Sequence, residues 1–177
     1  TNPYYRPILD LYYRAVYYVF GANPHVYHFL NIAIHIINGL FVYFLMMLIG
    51  LARPLFLVIA ALFLAHPVQT EAVACIAGIS NLSSALFFLL AMAAFLQPSR
   101  RTGVKILTVS LCYLLAVMCK EQAIVLPVVL LWFILLGIPR KGKELLDDGI
   151  KTLIGLVVVA VGYFVWRQTL FGGAWAG

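Results

Sequence analysis

Charge is what this sequence has least of. Only 10% of its 177 residues are Asp, Glu, Lys or Arg and 64% are apolar, whereas a soluble domain carries about 25% charged and about 45–50% apolar residues. An ordinary water-soluble globule and a disordered tail are both excluded. Cysteine is scarce as well: Cys75, Cys112 and Cys119 form no CxxC pair and no zinc spacing, so they read as small apolar residues inside helices. No Gly-rich phosphate loop, nucleophile elbow or HExxH occurs, which leaves soluble-type hydrolases and nucleotide-driven enzymes without support. The apolar runs do not alternate as barrel strands do. Internal repeats, Gly/Ser linkers and low-complexity tracts are missing too, so a single domain is expected and a transporter built from inverted repeats is not. The sequence opens at Thr1 with neither an initiator Met nor a signal peptide, the pattern of a processed or trimmed chain.

What is present is a succession of long apolar runs, and the chain reads as an all-α, polytopic helical membrane protein. Residues 1–24 stand apart. Tyr4, Tyr5, Tyr12, Tyr13, Tyr17 and Tyr18, interspersed with Arg6, Asp10 and Arg14, combine apolar rings with wet hydroxyls and predict an interfacial helix and turn at headgroup level. Residues 25–177 then form the transmembrane domain. Runs at 26–49, 54–66, 79–97, 104–119, 122–138 and 150–171 predict about six spans at about 20 residues each. Pro127 is expected to kink the fifth. The stretch 66–81 is too polar for a span and too apolar for a free loop, and reads as a re-entrant or interfacial turn with a short helix.

The net charge of +6 does not point to nucleic acid, because the basic residues sit in short loops and there is little soluble surface to carry a nucleic-acid site. With Thr1 outside, Arg53, Arg100, Arg101, Lys105, Arg140, Lys141, Lys143 and Lys151 are cytoplasmic, leaving Arg6, Arg14, Lys120 and Arg167 outside. That asymmetry orients the N-terminus outward. A multi-pass protein of a bacterial inner membrane is expected.

This orientation gathers the unusual polar residues at the outer face, where ionisable groups beside spans usually line protein or water-filled cavities. Glu71 is the candidate catalytic carboxylate, either a base of raised pKa or merely a partner of Lys120 or a helix-terminal charge. His66, Lys120, Glu121, His28, Asn31 and Arg6 are the candidate substrate-binding residues. Lys120 offers a point charge for phosphate or simply flanks a helix end. His28, Asn31, His35 and Asn38 recur at helical spacing on one face, which forms a polar cavity wall or a set of interhelical hydrogen bonds. His28, His35 and His66 are not read as a metal site, since the two helix histidines are two turns apart.

YRP at Tyr5–Pro7, GANPHVYHFLNIAIH at Gly21–His35, HPVQTEAVA at His66–Ala74 and CKEQAIVLPVVLL at Cys119–Leu131 together resemble the transmembrane and tetratricopeptide-repeat proteins. The membrane part of that family is of the GT-C class and is similar to protein O-mannosyltransferases. The resemblance implies an outer face that binds a lipid-linked sugar donor, a polyprenyl-phosphate sugar, and an acceptor hydroxyl. No other cofactor is implied. Where the family shows W-x-x-x-R-x-D after its H-P-x-H-x-E motif, this chain has Cys75, Ile79 and Asn81, with Gln69 in place of the second His. The family's acidic motif would precede Thr1. The expectation is therefore a GT-C-like membrane domain, incomplete or inactive as it stands. The alternative is a non-catalytic subunit packed against other membrane protein chains. Membrane lipid is a partner in either case.

Overall fold

The computed structural model describes residues 6–97, 101–138 and 143–171, with side chains omitted at 143–146 and 170–171. Tyr4, Tyr5, Arg100, Arg140 and Lys141 lie outside the described residues, and so does the side chain of Lys143. Among the described residues eight α-helices follow one another: α1 Pro7–Phe20, α2 Pro24–Ile49, α3 Arg53–Ala65, α4 Gln69–Ala74, α5 Ile79–Leu96, α6 Thr102–Cys119, α7 Leu126–Leu136 and α8 Lys143–Phe171. Short 3-10 turns precede α5, at Ile76–Gly78, and α7, at Glu121–Val125. No strand occurs among the described residues.

Proline starts these helices rather than bending them. Pro7, Pro24, Pro54 and Pro127 occupy the first turns of α1, α2, α3 and α7, where an amide donor is not needed and the fixed φ already suits a helix. The expected kink at Pro127 is thus a helix start, preceded by the 3-10 turn. Asn23 caps α2 by accepting from the His25 amide at 3.1 Å. Gly50 and Gly137 end α2 and α7 in left-handed conformations, which glycine adopts without steric cost.

Four helices among the described residues, rather than the expected six, are long enough to span a membrane by themselves, and the shorter α3 and α7 carry the chain back, since α2 and α5 run the same way and so do α6 and α8. Among the described residues, Pro24–Ile49, Ile76–Leu96, Thr102–Cys119 and Asp147–Thr169 are long and apolar enough to cross a membrane. Arg53–Ala65 and Glu121–Leu136 are apolar but short. At 1.5 Å per residue their 13 and 16 residues reach only about 20 and 24 Å, less than the hydrocarbon core of about 30 Å. The runs at 54–66 and 122–138 are already this short, and the second of them includes most of the 3-10 turn that precedes α7.

Side-chain bonds give the directions. Asn38 on α2 donates to the Leu82 carbonyl of α5 at 3.0 Å. At the other end Leu45 shares a buried cluster with Ala91, Met92 and Phe95, so α2 and α5 run the same way. Ser84 of α5 donates to the Ala116 carbonyl of α6 at 3.0 Å, which pairs those two helices antiparallel. Thr102 bonds Asp148 at one end of α8 and Glu121 meets Arg167 at the other. The 19 residues between Asp148 and Arg167 rise about 28 Å, close to one hydrocarbon thickness. The core lies where α5, α6, α7 and α8 meet, around Val109, Tyr113, Leu126, Leu130 and Leu156. The outward faces of α2, α3 and α8 are apolar and exposed, as lipid-facing surfaces are in a multi-pass membrane protein.

Candidate functional site

The chain between α3 and α5 is held in place by the polar stripe of α2. Asn31, almost fully buried, donates its amide to the carbonyls of Val73 at 3.3 Å and Cys75 at 2.9 Å, tying α4 and the turn after it to α2. His35 Nε2 lies 3.2 Å from the Leu64 carbonyl at the end of α3. A carbonyl only accepts, so this nitrogen carries the proton. Gly78 allows the tightest approach, since a Cβ there would overlap the Ala72 carbonyl. Asn31, His35 and Asn38 thus act as interhelical bonds, each made to the carbonyl of another segment.

This packing leaves a cleft of about 460 Å³ at the junction of α2, α3 and α4. Its polar lining comes from His28, His35, His66, Gln69 and Thr70. His66 Nδ1 accepts the Val68 amide at 3.2 Å, so a neutral ring presents Nε2–H as a donor. The Thr70 hydroxyl donates to the Pro67 carbonyl at 2.6 Å. Among the described residues no group of three His, Cys, Asp or Glu side chains is arranged to hold a metal. The cleft offers imidazole, amide and hydroxyl groups with no Lys, Arg, Asp or Glu in its lining, which suit hydroxyl groups better than a bare phosphate. Glu71 stands on α4 directly after Thr70, exposed, and takes part in none of the ion pairs among the described residues.

A second cluster forms where α1, α6 and α8 approach one another. Glu121, two residues after α6, accepts from Arg6 at 3.2 Å and from Arg167 at 3.0 Å. Partial burial alone would raise the Glu121 carboxyl. Its own backbone amide and the two guanidinium groups outweigh that cost and hold it below the usual carboxylate range. The neighbouring Lys120 ammonium donates to the Asn81 side chain, so its partner is Asn81 and not Glu71. Tyr12 and Tyr13 on α1 have raised pKa values, first because burial disfavours the phenolate, then through neighbouring groups that include Tyr27.

The structure thus brings His28 together with His66, and Arg6 together with Glu121. Lys120 is joined to Asn81, and Asn31 is given to packing. Two residues in the second cluster escaped sequence reasoning: Arg167, and Tyr163 one turn before it. Their signal was an arginine inside an apolar run, flanked by aromatics at Tyr163, Phe164 and Trp166. At the positions where the resembled family carries Arg and Asp, Ile79 is fully buried and Asn81 accepts a bond from the Lys120 ammonium without a charge of its own.

Comparison with known proteins gives this geometry its context. The chain is similar to the protein O-mannosyl-transferase TMTC2 of Homo sapiens, at 30% identity over 177 residues that cover 95% of this chain and 21% of that protein. It is similar to TMTC2 of Mus musculus at 34% over 127 residues, covering 68% and 15% of the two chains. Against Tmtc1 of Drosophila melanogaster it is 35% identical over 122 residues, covering 68% and 14%. The chain spans about a fifth or less of the length of these relatives. No family model matches it, and no solved structure does. The four motif islands therefore reflect sequence similarity to the transmembrane and tetratricopeptide-repeat family of O-mannosyltransferases.

Proposed function

From that similarity, which runs through nearly the whole chain, we propose that these residues form a GT-C-like part of a membrane domain related to polyprenyl-phosphate-sugar-dependent glycosyltransferases. The N-terminus and the polar cleft face outward, α1 lies at the outer interface, and residues 25–177 make up one transmembrane unit. In this class of reaction a carboxylate takes the proton of an acceptor hydroxyl while cations stabilise the departing lipid phosphate. Glu71 is the carboxylate beside the cleft, and His28 and His66 are the groups that meet hydroxyls there. Cations are the weak element. Ile79 offers phosphate nothing, Lys120 is engaged by Asn81, and Arg6 and Arg167 converge on Glu121. The single observation that carries the reading is the cleft at the His66–Ala74 island, within a chain similar to O-mannosyltransferases.

On its own the chain is expected to transfer no sugar. The loss of one charge-assisted phosphate contact, as at Ile79, weakens donor binding by about 1.5–3 kcal/mol, at least about tenfold. The test reconstitutes the purified chain in liposomes with a polyprenyl-phosphate mannose donor and a hydroxyl acceptor peptide. No transfer is expected; transfer abolished by Glu71→Gln overturns the inactive reading. The second reading, an accessory element of a larger membrane assembly, is favoured by the same internally paired cations. It predicts stoichiometric membrane-protein partners on purification.

A further inference from the structure

We infer that the groove between α6 and α8 holds one hydrocarbon chain of an anionic glycerophospholipid, whose phosphate lies beside the Arg6–Glu121–Arg167 cluster. This groove is distinct from the cleft of α2, α3 and α4, and the inference does not depend on the sugar-transferase reading. It encloses about 370 Å³ and is lined by Leu114, Met118, Val159, Gly162, Tyr163 and Trp166, an almost wholly apolar set. Both walls belong to helices long and apolar enough to span a membrane, so the medium around the groove is lipid. A Cβ on Gly162 would meet nothing within 4 Å, which places the missing side chain at open space in the groove.

Two further features point to the occupant. Along α8 the groove runs from Val159 to Trp166, about 10 Å of helix, and ends next to Arg167. There two guanidinium groups share one carboxylate, a cluster with a formal charge of +1. Trp166 and Tyr163, with ring centroids 6.1 Å apart, are residues typical of headgroup depth. An apolar groove draws no hydrophobic driving force from a lipid chain that is already in hydrocarbon. Selective retention must therefore rest on the charged end, and a net positive cluster discriminates for anionic over zwitterionic phosphate headgroups. A partner helix needs no charge at this end.

The test incorporates the 177-residue chain into vesicles of equimolar phosphatidylglycerol and phosphatidylcholine. It is then extracted in mild detergent, and the retained lipid is read by native mass spectrometry. One phosphatidylglycerol per chain is expected, in preference to phosphatidylcholine. Arg167→Gln should reduce that preference about tenfold, the worth of one charge-assisted contact. Since this variant also disturbs Glu121, Gly162→Leu provides the decisive arm. It fills the groove without touching the ion cluster, so that the hydrocarbon chain cannot lie there and the headgroup cannot seat beside Arg167, and retention should be lost while helicity and melting stay unchanged. Equal retention of the two lipids overturns the inference, as does undiminished retention in a folded Gly162→Leu variant. Self-association through this face without bound lipid overturns it equally.

Discussion

Replacing Glu121 by Gln removes a carboxylate that joins α1, the α6–α7 connection and α8. Its contacts to Arg6 and Arg167 are 3.2 and 3.0 Å long, and the three side chains are 24%, 33% and 23% exposed. Fully exposed ion pairs contribute about 0–1 kcal/mol. Breaking a buried one costs about 3–5 kcal/mol, because the remaining charge is stranded. This site lies between those limits, and Glu121→Gln leaves two cations converging on a neutral amide that bonds at most weakly to one of them. A loss of about 2–3 kcal/mol follows. For a chain of this size that corresponds to a melting shift of about 5–10 °C, read by far-ultraviolet circular dichroism in detergent micelles. Limited proteolysis supplies the local readout, since α1 should be clipped earlier once Arg6 no longer meets Glu121. The pH dependence has a definite sign. The folded carboxyl titrates below its ordinary value of 4.5, so the stabilisation is complete above that pH and is lost as pH falls through the lowered value. The Gln variant should therefore melt lower at neutral pH and converge with the parent in acid. A shift of less than about 1 °C at neutral pH would refute the reasoning.

Asn38→Ala deletes a fully buried amide that bonds the Leu82 carbonyl at 3.0 Å. It should destabilise the chain by about 1–2 kcal/mol, a melting drop of about 2–8 °C. Gly78→Ala sets a methyl group against the Ala72 carbonyl, a backbone atom that cannot rotate away. It should displace α4, with a loss above about 2 kcal/mol measured by melting and with faster modification of the exposed Cys75. An Asn81→Asp substitution turns the bond from Lys120 into an ion pair, and should raise melting by about 1–3 °C at neutral pH, with the gain lost in acid.

Much of this fold was legible in the apolar runs, because helices in lipid must satisfy their own backbone and so require long uninterrupted segments. The turn and short helix at residues 66–81 were legible for the same reason, through polarity that a span does not tolerate. Span number was less so. The run at 54–66 ends within a residue of where α3 does, yet counts as a span by composition despite its length, and composition alone did not show that residues 121–125 are a 3-10 turn. The stripe on α2 was readable as a face, since its spacing is local. The ion cluster was readable only in part. Arg6 and Glu121 stood out as charges at the outer end, but Arg167 lies 46 residues from Glu121, and Arg6 lies 115 away on the other side. Pairing across such separations is set by how α6 and α8 pack, which no local pattern encodes.

The most direct test of the account is the side of the membrane on which the cleft opens. Single cysteines are placed at Thr70, which lines the cleft, and at Ser99 and Gly142, in the basic stretches of the sequence, in a chain whose three native cysteines are replaced. An impermeant thiol reagent is then added to intact cells. The account predicts labelling at Thr70 and protection at Ser99 and Gly142 until the membrane is opened. Protection at Thr70 with labelling at the other two would put the cleft on the cytoplasmic side and contradict it.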